Sequence, residues 1–114
     1  TACMKWQINF YDEKVKFETH SFPKKILAKV LHILDMMEDL GSNLGKPHTD
    51  SLGDGLFEVR AKGEEGIGRS FFCYAKGKRI VILHSFIKKT QKTPKKEINI
   101  ALTRKKEIDN DNNE

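Results

Sequence analysis

Cysteine is scarce in this 114-residue chain: Cys3 and Cys73 are the only two, without the pairwise spacing of a zinc site or the density of a disulfide framework. Cys73 lies in an apolar run where a buried free thiol is the ordinary expectation, and two such thiols suit a reducing compartment. Long apolar runs are missing too. No stretch approaches the roughly 20 residues of a membrane span, and no charged-then-apolar leader opens the chain, so the composition predicts a soluble, cytoplasmic protein with no membrane contact. His20, His32 and His48 show no partner spacing for a metal, and neither a metal nor another cofactor is expected. Acidic residues are absent from one long interval: Lys76 to Lys96 holds eight basic residues (Lys76, Lys78, Arg79, Lys88, Lys89, Lys92, Lys95, Lys96) and no Asp or Glu. The net charge of +5 understates that half of the molecule, because acidic residues gather elsewhere, at Glu38 and Asp39 and in the stretch from Glu107 to Glu114. A polyanion is the partner such a surface fits first.

The length allows one small domain with a single core. Thr1-Ala2-Cys3, ahead of Met4, reads as a cloning remnant (1–3), the folded domain as 4–106, and the acidic end, 107–114, as a disordered tail. Trp6, Ile8 and Phe10 alternate on one face of a first strand, Lys5 to Tyr11. Asp12 suits the N-cap of a short helix to Ser21 anchored by Val15 and Phe17. Ser21-Phe22-Pro23 then places a capping hydroxyl and a proline at the start of a second helix. Its apolar stripe is Ile26, Val30, Ile33, Met37 and Leu40, joined by Leu27, Leu31 and Leu34, and Gly41 closes it.

Gly41 to Gly55 is dense in Gly, Ser, Asn, Pro and Asp and predicts an irregular crossing from helix to sheet. Three strands follow, Leu56 to Lys62, Gly68 to Ala75 and Arg79 to Lys88, joined by short glycine-bearing turns as an antiparallel meander. The run from Ile80 to Ile87 is almost continuously apolar, which predicts an interior strand covered on both faces. An amphipathic helix from Pro94 to Lys106, with Ile98, Ala101 and Leu102 inward, would cover one of them. The expected fold class is α+β: a strand, two helices, a three-stranded meander joining one sheet, and a C-terminal helix.

Three segments carry a resemblance when taken in order: Gly55-Leu56-Phe57-Glu58-Val59-Arg60, Gly66-Ile67-Gly68-Arg69-Ser70-Phe71-Phe72, and Phe86-Ile87-Lys88-Lys89-Thr90-Gln91-Lys92-Thr93-Pro94. Together they resemble the HigB-like, phage-derived branch of the RelE/ParE toxin superfamily, over about Met4 to Lys106. The resemblance implies a RelE-like fold and a bacterial type II toxin that cuts mRNA on the translating ribosome. It also implies a cognate antitoxin, a small helix-turn-helix protein whose complex sets the oligomeric state.

By position in that family, Arg60, Arg69 and Lys89 fall where RelE-type nucleases keep basic catalytic residues; Lys62, two residues beyond Arg60 on the same strand face, and Lys88, Gln91, Lys92 and Lys95 of the basic run are the candidate RNA-binding residues. Attack of a 2′-hydroxyl on the adjacent phosphate builds negative charge on the phosphoryl oxygens, which placed cations stabilise without a metal. Arg60 and Arg69 cannot act as bases, so they are assigned to phosphate clamping, and Lys89 to clamping or proton transfer. Two departures bear on the acid–base apparatus. Glu58 stands where such enzymes carry a lysine, and neither Tyr11 nor Tyr74 falls near the family's C-terminal tyrosine. His84 is the alternative base, although its place between Leu83 and Ser85 in the most apolar strand suits a hydrogen-bonded core histidine. Surface pairing of Arg60 and Arg69 with Glu58, Glu64 or Glu65 is the bland alternative for the arginines, as a solvated lysine loop is for the rest. Two other functions compete: a non-enzymatic, ParE-like inhibitor of DNA gyrase, and a plain RNA-binding module whose lysines supply only counterion release.

Overall fold

The computed structural model describes residues 5–41, 44–45 and 48–112, with side chains as far as Asn110. The expected remnant, 1–3, lies outside the described residues, as do 113 and 114. The chain begins with strand β1 (Gln7–Phe10), whose alternation puts Trp6, Ile8 and Phe10 against the core. Helix α1 (Glu13–His20) opens where Asp12, in extended backbone, accepts the Val15 N–H at 2.8 Å. Val15 and Thr19, one turn apart, take its buried face. Phe17, expected as an anchor, is 73% exposed, because a residue two positions from Val15 points to the opposite side of a helix.

Ser21 also differs from expectation. Its N–H reaches the Glu18 carbonyl and its hydroxyl donates to the Phe17 carbonyl at 2.7 Å, so it closes α1 and does not cap the next helix. Helix α2 (Lys24–Leu40) starts after Pro23 with no side-chain cap, and Gly41, at φ 52°, ends it with its N–H on the Met37 carbonyl. Ile26, Val30, Ile33, Leu34 and Met37 are buried as the stripe predicts, while Leu31 and Leu40 lie at its exposed margin.

Among the described residues the strands form one five-stranded mixed sheet in the order β1-β5-β4-β3-β2. Strands β3 (Leu56–Gly63), β4 (Gly66–Ala75) and β5 (Arg79–Lys88) are the expected antiparallel meander, and β1 joins β5 in parallel. Strand β2 (Thr49–Gly53) corrects the sequence reading, which left that interval irregular. Its five residues carry a single β-branched side chain, and pairing with β3 (Thr49↔Val59, Asp50↔Glu58, Ser51↔Phe57) supplies what propensity does not. The tight return to β3 uses positive φ at Gly53, Asp54 and Gly55.

One face of the sheet packs on α1 and α2 through Phe72, Ile80 and Ile82, and the other on helix α3 (Lys95–Asn112) through Phe71, Cys73, Val81 and Leu83. Both faces of β5 are therefore covered, as its unbroken apolar run requires. Glycine sets how closely α2 lies: a Cβ on Gly68 would stand 2.5 Å from Ile26 Cγ2, and one on Gly63 2.6 Å from Ile26 Cγ1. Helix α3 extends beyond the expected end at Lys106, so 107–112 are helical where a disordered tail was expected. Its fastenings explain the extension, since Tyr11 hydroxyl bonds Glu107 and Lys105 pairs with Asp109 at 2.6 Å across one turn. No helix among the described residues is long and apolar enough to cross a membrane.

Candidate functional site

The turn between β3 and β4 fixes the register that builds the site. Glu64 and Glu65 form a two-residue turn with Gly63 opposite Gly66, and counting back along both strands sets Arg60 directly across from Arg69. Glu58, two residues before Arg60, shares the face that these arginines occupy. Its carboxylate lies between them, with Oε1 3.4 Å from Arg60 Nε and Oε2 3.5 Å from Arg69 Nε. The pairing with Glu58 that was the bland alternative for the arginines is present, but it is buried: Arg69 has no exposed surface and Glu58 is 1% exposed, while the Arg60 side chain keeps 30%.

The loop after β5 closes over this cluster. Arg60 Nη2 donates to the Gln91 carbonyl at 2.8 Å, and Arg69 Nη2 donates to the carbonyls of Thr90 (2.5 Å) and Gln91 (3.0 Å). Thr93 hydroxyl donates to Glu58 Oε2 at 3.0 Å. Burial pushes the Glu58 carboxyl above its ordinary value, although the Thr93 hydroxyl and then the two arginines pull the other way. Burial likewise pulls the Arg69 guanidinium down, against the opposing effect of Glu58. Two cations share one carboxylate, leaving a net positive charge, and Arg69 Nη1 is buried with no hydrogen-bond partner.

Beside this cluster is a cavity of about 550 Å³ between α2 and the exposed end of β3. The registered β2–β3 pairs stop at Thr49↔Val59, so β3 continues beyond them towards Gly63, and the cavity opens along that stretch. Its lining is Lys29, His32 and Ile33 from α2, Arg60, Ala61 and Lys62 from β3, His48 from the crossing, and Gln91 from the lysine loop. Among the described residues no carboxylate belongs to that lining. Lys29 Nζ donates to the Lys62 carbonyl at 2.5 Å, bridging helix and strand, and the Arg60 N–H reaches the His48 carbonyl at 3.4 Å.

The structure thus brings Arg60, Lys62 and Gln91 to one cavity and Arg69 to the cluster behind it. Lys88, Lys89, Lys92 and Lys95 are exposed on the loop and at the start of α3, make no ion pair among the described residues, and do not line the cavity. His32 and His48, set aside in the sequence for want of partner spacing, both line this cavity. They stand sixteen positions apart, and no sequence spacing links them. His84 is a hydrogen-bonded core histidine: its Nε2 meets Glu97 Oε1 of α3 at 2.8 Å, between the rings of Phe71 and Phe86. No cluster of His, Cys, Asp and Glu among the described residues could hold a metal ion.

Comparison with known proteins bears on this geometry. Residues 18–106 match the family model of the phage-derived Gp49-like proteins (DUF891). A search of curated proteins finds no match. Among solved structures, the chain is similar to one from the toxin–antitoxin complex RelBE2 of Mycobacterium tuberculosis. The two share 21% identity over 78% of this chain and 98% of that one, with a TM-score of 0.53. At that identity the likeness is one of fold, and it makes the α+β architecture RelE-like.

Proposed function

The chain belongs to the phage-derived Gp49-like family, and we propose that it is the toxin of a type II toxin–antitoxin pair, an endoribonuclease that cuts mRNA on the ribosome. The observation that carries this reading is a cavity whose lining gathers Lys29, Arg60 and Lys62 with His32 and His48, beside the apolar Ile33 and Ala61, and includes no carboxylate among the described residues. Its size and charge suit one nucleotide and its phosphate. The similarity to a chain of a toxin–antitoxin complex supports a protein partner, here a small helix-turn-helix antitoxin that would cover the basic loop.

In this mechanism the 2′-oxygen forms a bond to phosphorus while the bond from phosphorus to the 5′-oxygen breaks, giving a cyclic phosphate and a free 5′-hydroxyl. Arg60 and Lys62 stabilise the charge that builds on the phosphoryl oxygens. One imidazole of the pair His32 and His48 accepts the 2′-proton, and the other returns a proton to the leaving oxygen. Lys88, Lys89, Lys92 and Lys95 bind the flanking backbone. Primer extension on a translated message tests the assignment. Arg60→Ala and His48→Ala should each lower cleavage by about 10²-fold or more, the usual contribution of such groups; full cleavage by either variant refutes it.

Glu58 favours a second reading. A carboxylate that half-neutralises the arginine pair suits a non-enzymatic, ParE-like inhibitor of DNA gyrase better than it suits a nuclease. Expression of the protein followed by parallel assays of translation and DNA supercoiling separates the two by which process stops first.

A further inference from the structure

The loop that carries the lysines is held by contacts in which no lysine side chain takes part. Arg60 reaches one of its carbonyls, Arg69 Nη2 bridges two successive ones, and Thr93 ties its far end to Glu58. Neither Arg69 nor Glu58 offers surface to a bound polyanion, since both lie at or below 1% exposure. A guanidinium that holds two adjacent carbonyls fixes two peptide planes at once, which an ammonium, lacking the rigid fork, does less well. The residues so fixed lie between Lys89 and Lys92, and Gln91 among them is part of the cavity wall. Left free, a loop of this composition would be ordered only on binding, at a cost in affinity for each immobilised side chain.

We propose that Arg69 and Glu58 are positioning residues for RNA binding, acting through the 88–93 loop to hold Lys88, Lys89 and Lys92 preorganised beside the cavity. This rests on the RNA-cleaving reading above, and it gives Arg69 a different task from the phosphate contact that its position in the sequence suggests. The Glu58 carboxylate serves as the common anchor: it balances the two arginines and receives Thr93. Arg69 then transmits the rigidity of the paired strands β3 and β4 to a segment that has no strand or helix of its own.

The test uses the full chain and a short single-stranded RNA, with two readouts that need no cleavage: amide hydrogen exchange across 88–93, and RNA affinity as a function of salt. Thr93→Val removes only the tie at the end of the loop and leaves the sheet intact. It should speed exchange of the loop amides and weaken RNA binding, each by about tenfold, the loss expected for one hydrogen bond to a charged group, with β4 and β5 amides unchanged. Arg69→Gln should loosen the loop further while leaving the slope of log affinity against log salt as in the wild type, because no phosphate contact is lost. Lys89→Ala should reduce that slope by about 0.7, the value for one contact to a single strand. Wild-type exchange and affinity in Thr93→Val overturn the proposal even if Arg69→Gln fails to fold, and so does a salt slope reduced by Arg69→Gln. A wild-type chain that binds RNA through an ordered loop, responds to these variants as stated and cuts no message would sink the nuclease reading while supporting this one.

Discussion

Replacing Glu58 with glutamine isolates the charge of the buried cluster from its shape. At 3.5 Å from Arg69 Nε, the carboxylate gains roughly 5 kcal/mol of attraction per pair at an effective dielectric of about 20. Removing water from each buried ion costs several kcal/mol in return. The direction of the Glu58 shift shows which side wins, because burial holds the carboxyl above its ordinary value of 4.5 in spite of Thr93 and both arginines. The folded protein therefore binds this proton more tightly than the unfolded chain does. Stability from this group is complete below 4.5, declines as pH rises from 4.5 through the raised folded value, and is level above it. Glutamine keeps an oxygen for Thr93 and carries no charge to desolvate. Glu58→Gln should thus match the wild type at neutral pH within about 1 kcal/mol, and it should lack the decline that the wild type shows across the acidic window. Glu58→Ala, which also deletes the acceptor and leaves a cavity, should lose about 2–4 kcal/mol. Urea unfolding of the three proteins between pH 4 and 8 measures both effects. A loss of about 3 kcal/mol or more in Glu58→Gln at pH 7, the cost of breaking a net-favourable buried pair, would refute the reasoning. So would wild-type stability that rises relative to that variant across the window.

Gly68→Ala forces a Cβ to within 2.5 Å of Ile26 Cγ2, so thermal unfolding should show a loss of about 1–3 kcal/mol as α2 is pushed off the sheet. Because α2 carries Lys29 and His32, RNA binding should weaken in the same variant. Glu97→Ala leaves His84 Nε2 without its 2.8 Å partner beside an Nδ1 that already has none; urea titration should report a loss of about 1–3 kcal/mol, with faster amide exchange in α3 than in β4. Burial pushes the Cys73 thiol up to about 11. In the native chain at pH 8, Ellman's reagent followed by peptide mapping should therefore leave Cys73 unmodified, and denaturant should make it react.

Elements whose signal is local were legible in the sequence. The α2 stripe from Ile26 to Met37, the Asp12 cap, the Gly41 stop and the three meander strands all follow from spacing and end residues. What escaped was decided by partners that composition and spacing do not name, some of them distant in the chain. Strand β2 has the composition of a loop and exists because β3 offers it an edge. Ser21 carries the same hydroxyl whether it ends one helix or begins the next, and only the short step to Pro23 decides between them. The last turns of α3 read as an acidic tail until Tyr11 and Lys105 supply partners for Glu107 and Asp109. His32 and His48 gave no sequence signal, since nothing in either segment says that the two line one cavity.

The arginine cluster is the instructive intermediate case. Once a two-residue turn is placed at Glu64-Glu65, strand register makes Arg60 and Arg69 direct neighbours, and the period of two adds Glu58 to their face. Convergence of the two arginines was therefore within reach of the sequence, and so was the carboxylate between them. Their accessibility was not, because it depends on a loop whose lysines point attention to charge while its backbone carbonyls and Thr93 make the contacts that bury Arg69. A cation count alone assigns Arg69 and Lys89 the same role. Burial separates them: Arg69 is committed to the protein's own carbonyls and to Glu58, whereas Lys89 and its neighbouring lysines stay exposed.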